Sequence, residues 1–187
     1  MQIDKTPHEG RPAQRRSDTE EAIFDRLDAL GIRFRRVDHE HADTMEDCLL
    51  VESVLGAKIC KNLFLCNRQK TDFYLLMTPG DKPFKTKYLT SQLGCARLSF
   101  GEADKLAEYL HTTPGSVSAL ELIFDEGQNI RLVIDRDLLQ DEYISGHPGI
   151  STSTLRLARD DMLRYIDSTA HTPTYIDLPW ETPQTDA

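Results

Sequence analysis

Residues 56–66, Gly56-Ala57-Lys58-Ile59-Cys60-Lys61-Asn62-Leu63-Phe64-Leu65-Cys66, decide how this chain folds. The stretch from Ile59 to Cys66 is short and rich in branched and aromatic residues, and Asn67-Arg68-Gln69-Lys70 closes it like a turn, so it reads as a strand. Asp72-Phe73-Tyr74-Leu75-Leu76-Met77-Thr78 follows as its hairpin partner across a loop of about five residues. Residues two apart on a strand share a face, which puts Lys61 in one row with Ile59, Leu63 and Leu65. Stripping water from an ammonium is far more costly than the burial of its stem is favourable. Either the head snorkels to an edge, or the row ends at a cavity where something anionic or electron-rich meets it.

Working outward, Ser17-Asp18-Thr19-Glu20 has capping-box spacing and starts a helix that carries Ile23, Leu27 and Leu30 on one face before Gly31 stops it. Ile32 to Asp38 alternates as a strand. Thr44 opens a second helix, with Leu49, Leu50, Val54 and Leu55 as its buried stripe and Gly56 as its end. Helices are expected over Thr86–Leu93, after Ser99-Phe100-Gly101-Glu102, and over Arg159–Asp167. Short strands are expected near Arg97–Phe100, Leu120–Phe124, Ile130–Asp135 and Ser151–Leu157, the middle two as a hairpin around Asp125-Glu126-Gly127-Gln128-Asn129. The pattern gives a mixed α/β domain over residues 17–169, with a central mixed, largely antiparallel sheet flanked by helices. Residues 1–16 read as a polar arm and 170–187, with three prolines and no periodicity, as a tail.

With 187 residues the chain can bury a substantial core as one domain. A net charge of −9 argues against a general nucleic-acid coat and against DNA, so any RNA contact must be local and basic. Lys82, Lys85 and Lys87, flanked by Phe84 and Tyr88, form the candidate patch, against a plain solvated lysine face. Cys48, Cys60, Cys66 and Cys95 show no Cys-x-x-Cys spacing, which reads as reduced thiols in a cytoplasmic protein. No apolar run is long enough to span a bilayer, and no glycine-rich nucleotide motif is present. His39-Glu40-His41 with Asp43 has metal-like composition, but no third ligand follows at suggestive spacing, so neither metal nor cofactor is expected.

Three segments carry the unusual chemistry: Lys61-Asn62, the loop Thr113-Pro114-Gly115-Ser116-Val117-Ser118, and Gly146-His147-Pro148-Gly149. With Val37-Asp38-His39-Glu40, Gly56-Ala57-Lys58, Leu63-Phe64-Leu65 and Arg97-Leu98-Ser99-Phe100, their order and wording resemble the YbaK/prolyl-tRNA-synthetase-associated editing family, in particular its free-standing branch. One position departs: the family's loop reads Gly-x-x-x-Pro, and here Ala119 stands where proline would fix the backbone.

The resemblance implies a single YbaK-like domain that deacylates alanine mischarged onto proline tRNA. Its partners would be a tRNA acceptor end and, transiently, prolyl-tRNA synthetase. It implies that the substrate's terminal ribose hydroxyl helps activate water while the protein supplies geometry, with Lys61, Gly115 and His147 at the centre. Lys61 would engage the terminal phosphate or the ester carbonyl. Backbone N–H groups around Gly115, Ser116 and Val117 would cradle the carbonyl. His147 would hold the amino group or ribose, or shuttle a proton. Asn62, Thr113, Pro114, Ser116, Val117, Ser118, Gly146 and Pro148 would complete the substrate-binding wall. Ser116 and Ser118 read as backbone-bonding hydroxyls rather than nucleophiles. Two other readings stay open: a sensing module without turnover, to which Ala119 points, and a deacylase for another small residue such as serine or cysteine.

Overall fold

The computed structural model describes residues 1–42 and 44–180. Its strands are β1 (His8–Glu9), β2 (Phe34–Asp38), β3 (Cys60–Asn67), β4 (Phe73–Pro79), β5 (Leu98–Phe100), β6 (Ile130–Asp135), β7 (Tyr143–Gly146), β8 (Ser153–Ala158) and β9 (Thr174–Ile176). The α-helices are α1 (Asp18–Ala29), α2 (Met45–Leu55), α3 (Thr86–Leu93), α4 (Ala103–Leu110) and α5 (Arg159–Asp167).

The expected mixed α/β class stands, but the sheet divides in two. A wholly antiparallel sheet runs β1-β2-β8-β7, and a mixed sheet runs β5-β3-β4-β6-β9. In the mixed sheet β3 pairs antiparallel with β4 and β5, while β4–β6 and β6–β9 are parallel. Every residue of β4 is buried, because both faces of its sheet are covered. One face shares a core with the smaller sheet and α1: Phe64, Phe73, Leu75 and Leu132 pack with Phe34, Leu155, Leu157, Ile23 and Leu27. The other face carries Leu65, Tyr74, Leu76 and Val133 beneath Leu89 of α3 and Leu178. The period-two reading of β3 therefore holds: Leu63 and Leu65 face the second cluster, Cys60, Phe64 and Cys66 the first.

Several expectations need correction. The apolar run at 119–124 is a 3₁₀ helix rather than a strand, since Ser118 and Glu121 form a reciprocal capping box that starts a helical turn. Such short apolar runs carry no periodicity that separates helix from strand. The buried stripe of α2 is Val51 and Leu55; Leu49 and Leu50 are 56% and 41% exposed. Residues 143–146, for which no strand is expected, pair with β8. The first sixteen residues lie along the small sheet, where Ile3 bridges His39 and β1 pairs with β2. Arg11 reaches Asp25 at 2.8 Å and Asp28 at 2.6 Å, and Arg16 reaches Asp38 at 2.7 Å.

The stretch after Ala170 also contributes structure, for β9 extends the mixed sheet and buries Ile176 and Leu178. A strand of three residues holds only through such burial. Replacing Ile176 by Ala should lower the unfolding free energy by about 2–5 kcal/mol, the range for a buried isoleucine. Urea denaturation checks this, and a loss below about 0.5 kcal/mol, the surface level, would mean that β9 is not part of the cooperative unit.

Candidate active site

Lys61 is the second residue of β3, at the end of the sheet where α2 and the turn after β4 meet it. Its side chain is half-buried, and its Nζ donates to the carbonyl oxygen of Lys82 at 2.8 Å. Burial lowers the Lys61 pKa from its ordinary value, and the charge of Asp81 opposes that shift. A cavity of about 370 Å³ opens beside it, walled by Thr44, Cys48, Leu49 and Glu52 from α2, by Lys58 and Ile59, and by Gly80 and Asp81. Gly80 is required there. Its N–H bonds the Ile59 carbonyl at 2.9 Å, and a Cβ at that position would sit 2.4 Å from the same oxygen.

Asn62 lies on the opposite face, its Nδ2 donating to the Cys60 carbonyl at 3.2 Å. Lys61 and Asn62 thus serve different sides of the sheet, as alternation requires.

The glycine loop and the histidine loop are fastened to each other. Ser118 Oγ donates to the His147 carbonyl at 2.7 Å, Thr112 Oγ1 to the Gly149 carbonyl at 3.2 Å, and Gly146 backs onto the Ser118 side chain. Fully buried Glu121 binds Ser118 and the Gly149 backbone, and desolvation still pushes its carboxyl well above the usual range. Gly115 sits at φ +86, a conformation that favours glycine, and Thr113, Pro114 and Gly115 are exposed at the loop's tip. Ser116, Val117 and Ser118 are buried behind it, so Ser118 is a structural tie and not a free hydroxyl. Of the loop's N–H groups, Ser116 bonds the Thr113 carbonyl and Ser118 bonds Glu121. That narrows the expected carbonyl cradle to Gly115 and Val117.

A further bond joins this pair of loops to the lysine strand: the Cys60 N–H donates to Ser145 Oγ at 2.8 Å. That bond ties the start of β3 to β7, the strand that leads into the histidine loop. The lining of the cavity beside Lys61, however, includes neither Gly115 nor His147.

His147 is half-buried with Nδ1 2.7 Å from the Ser153 carbonyl. That nitrogen must carry the proton, which leaves Nε2 as acceptor in the neutral ring. His39, from the run with metal-like composition, is buried and bonds Thr154 Oγ1 at 2.8 Å, with its ring 6.2 Å from that of His147. His41 bonds Ser151, and Asp43 lies outside the described residues. Among the described residues no three metal-ligating side chains come together, and no helix is long and apolar enough to cross a membrane.

The basic patch is also smaller than expected. Lys85 and Lys87 are exposed, but Lys82 is 1% exposed and paired with Asp135 and Asp137. Sequence reading missed Glu121 and did not foresee the burial of Lys82 and His39, because Gly149, Asp135 and Thr154, which respectively bond them, come from distant segments.

Burial depresses both His147 and His39 from their ordinary value of 6.5. Their contribution to stability is complete above pH 6.5 and is lost as pH falls through that value toward the folded pKa, since the unfolded chain takes up protons first. The difference in Tm between wild type and His147→Asn, which keeps a donor near Ser153, should therefore shrink between pH 7.5 and pH 5.5. A difference independent of pH in calorimetry would refute the account.

Comparison with known proteins gives the family and the fold. The model of the aminoacyl-tRNA editing domain matches residues 39–165. The chain is 28% identical over 161 residues to the prolyl-tRNA editing protein ProX of Acetoanaerobium sticklandii, covering 86% of this chain and 98% of that protein. It is 29% identical over 154 residues to the prolyl-tRNA synthetase associated domain-containing protein 1 of Danio rerio, covering 81% and 83%. A crystal structure of a proposed trans-editing enzyme for prolyl-tRNA synthetase superposes with a TM-score of 0.64 at 15% identity, covering 88% of this chain and all of that one, and shares its fold. The chain belongs to the aminoacyl-tRNA editing domain family.

Proposed function

We propose that the protein hydrolyses, in trans, the ester of alanine mischarged onto proline tRNA. The observation that carries the reading is Lys61: a half-buried ammonium at the wall of a small cavity, held by a single carbonyl 2.8 Å away. Such a group has donor capacity left over for an incoming anionic or polarised oxygen. The names of the relatives from Acetoanaerobium sticklandii and Danio rerio support prolyl-tRNA as the context.

An aminoacyl ester needs a positioned water and a stabilised developing oxyanion more than it needs a strong nucleophile. In the glycine loop Ser118 is not free for the latter role, since its Oγ donates to the His147 carbonyl. In this reading the terminal ribose hydroxyl of the substrate assists the water. Lys61 meets the terminal phosphate or the ester oxygen, and Gly115 and Val117 N–H groups face the carbonyl. The His147 Nε2 accepts a proton or a hydrogen bond from the amino group or ribose. Asn62, Thr113, Pro114, Gly146 and Pro148 shape the surroundings.

Discrimination for alanine rests on exclusion. One or two extra carbons give only about 1–3 kcal/mol by attraction, so a site too small for proline is the effective device. Acting in trans, the protein meets tRNA after its release from prolyl-tRNA synthetase, which makes a transient association with that enzyme part of the same reading.

The Ala119 departure does not favour a site without turnover. Ala119 is fully buried at the first position of a 3₁₀ helix, and the Ser118–Glu121 capping box supplies the rigidity that a proline would.

Purified protein should deacylate Ala-tRNA(Pro) faster than Ser-, Cys- or Pro-tRNA(Pro). Lys61→Ala should reduce kcat on the order of 10²–10³-fold, the loss for one oxyanion-stabilising donor, with an unchanged melting curve. A folded Lys61→Ala of wild-type activity would remove the role given to the amine. Turnover confined to another mischarged ester would move the substrate assignment.

A further inference from the structure

The acceptor of the Lys61 ammonium is the backbone of another lysine, and that lysine is itself fully withdrawn from water. Lys82 Nζ lies 2.8 Å from Asp135 Oδ2 and 2.8 Å from Asp137 Oδ2. Thr78 Oγ1 donates to the same Asp135 oxygen at 2.9 Å, so the last turns of β4 and β6 share one ionic centre. The side chains of Lys82 and Asp135 are wholly buried, whereas Asp137 is open on one side. Over that side lies Trp180: its Nε1 donates to Asp137 Oδ2 at 2.6 Å, and its ring centroid is 5.0 Å from Lys82 Nζ.

A charge pair as deeply buried as this is weak evidence of stabilisation, since hydrophobic residues of equal volume often serve as well or better. Its position is more informative. The Lys82 N–H closes a turn onto the Pro79 carbonyl, and Gly80 and Asp81 within that turn wall the Lys61 cavity. Anchoring the Lys82 side chain to the end of β6 fixes the direction of its carbonyl. Pro83 further restricts the backbone of Lys82. The Lys61 amine has no other hydrogen-bond partner among the described residues, so where that carbonyl points decides where the amine waits.

We infer that the Lys82–Asp135–Asp137 cluster, closed by Trp180, positions the Lys61 ammonium for the reaction, and that the C-terminal segment after β9 is thereby coupled to the active site. Lys82 touches no substrate in this arrangement; it is a positioning residue that acts through Lys61. The inference rests on the role proposed for Lys61, but the placement of the amine can be read without any turnover. Displacing a reacting group by about 1 Å can slow a step on the order of 10²-fold, so the effect belongs in kcat more than in KM.

The test uses the full chain with ¹³C- and ¹⁵N-labelled lysine, the Lys61 side-chain resonance being assigned by its loss in Lys61→Ala. Three changes are compared with wild type: Trp180→Ala and Asp137→Asn at the open side of the cluster, and the charge-balanced double change Lys82→Met with Asp135→Asn. The inference expects the Lys61 resonance to move toward those of the exposed lysines in all three. It expects kcat on Ala-tRNA(Pro) to drop on the order of tenfold in the single variants and 10²-fold in the double, with KM within about twofold. A cluster that merely stabilises would lower Tm and leave the Lys61 resonance and kcat of the folded protein unchanged, and that result overturns the inference. Should the double variant not fold, the same comparison on the two single variants decides. If Lys61→Ala keeps full activity while the resonance still shifts, the positioning stands and the role proposed for Lys61 falls.

Discussion

A lysine amine half withdrawn from water must be given an acceptor, and the structure at the active end of this protein is arranged around that requirement. Lys61 leaves β3 on the face that carries Leu63 and Leu65, where no carboxylate among the described residues stands within hydrogen-bond reach, and it settles on the carbonyl of Lys82 at 2.8 Å. A neutral acceptor of this kind holds an ammonium without cancelling its charge. The partner carbonyl is dependable because its own residue is anchored elsewhere, by an ion pair to Asp135 that joins β4 to β6. Parallel strands cannot be joined by a tight turn, so the connection between β4 and β6 runs through α3, β5, α4 and a 3₁₀ helix before the two ends meet. That long excursion contains the glycine loop.

The second organising feature is the reciprocal use of small hydroxyls and one buried carboxyl between loops. Ser118 is at once a helix cap and a tie to the His147 carbonyl. Ser145 accepts from Cys60, and Thr112 bonds Gly149. Each bond is modest in net free energy, about 1 kcal/mol, but each satisfies a polar group that would otherwise be stranded beside the core. Irregular loops can be held to fixed positions in this way without regular pairing. The tip at Thr113–Gly115 and Leu49 and Leu50 of α2 stay exposed to solvent.

Local elements followed from residues close in sequence. The cap at Thr44 is satisfied in the structure, and α1 begins at Ser17, whose side chain accepts from Glu20. The alternation of β3 placed Lys61 and Asn62 on opposite faces before any coordinates were known. Where a short apolar run could be paired or wound, as at Leu120–Phe124, composition alone chose wrongly, because only the capping contact breaks the tie. Leu49 and Leu50 misled for a related reason: a helix with apolar residues at 49, 50, 51, 54 and 55 offers more than one face, and the packing against β2 and β8 selects Val51 and Leu55.

By itself, then, the amino-acid order determined the mixed α/β class, the strand and helix periodicities, and the wording of the three segments that mark an editing domain. Those properties depend on neighbours within a turn or two of each residue. Tertiary structure alone decided that Lys82 is a buried ion-pair partner rather than a surface charge. It also decided that the segments around His8–Glu9 and Thr174–Ile176 are sheet-bound, and that His39 belongs with His147. Each of these depends on groups far apart in sequence, as with Lys82 and Asp135 at a separation of 53 residues. Burial, which sets the cost of a charge and the need for its partner, is a property of the assembled fold.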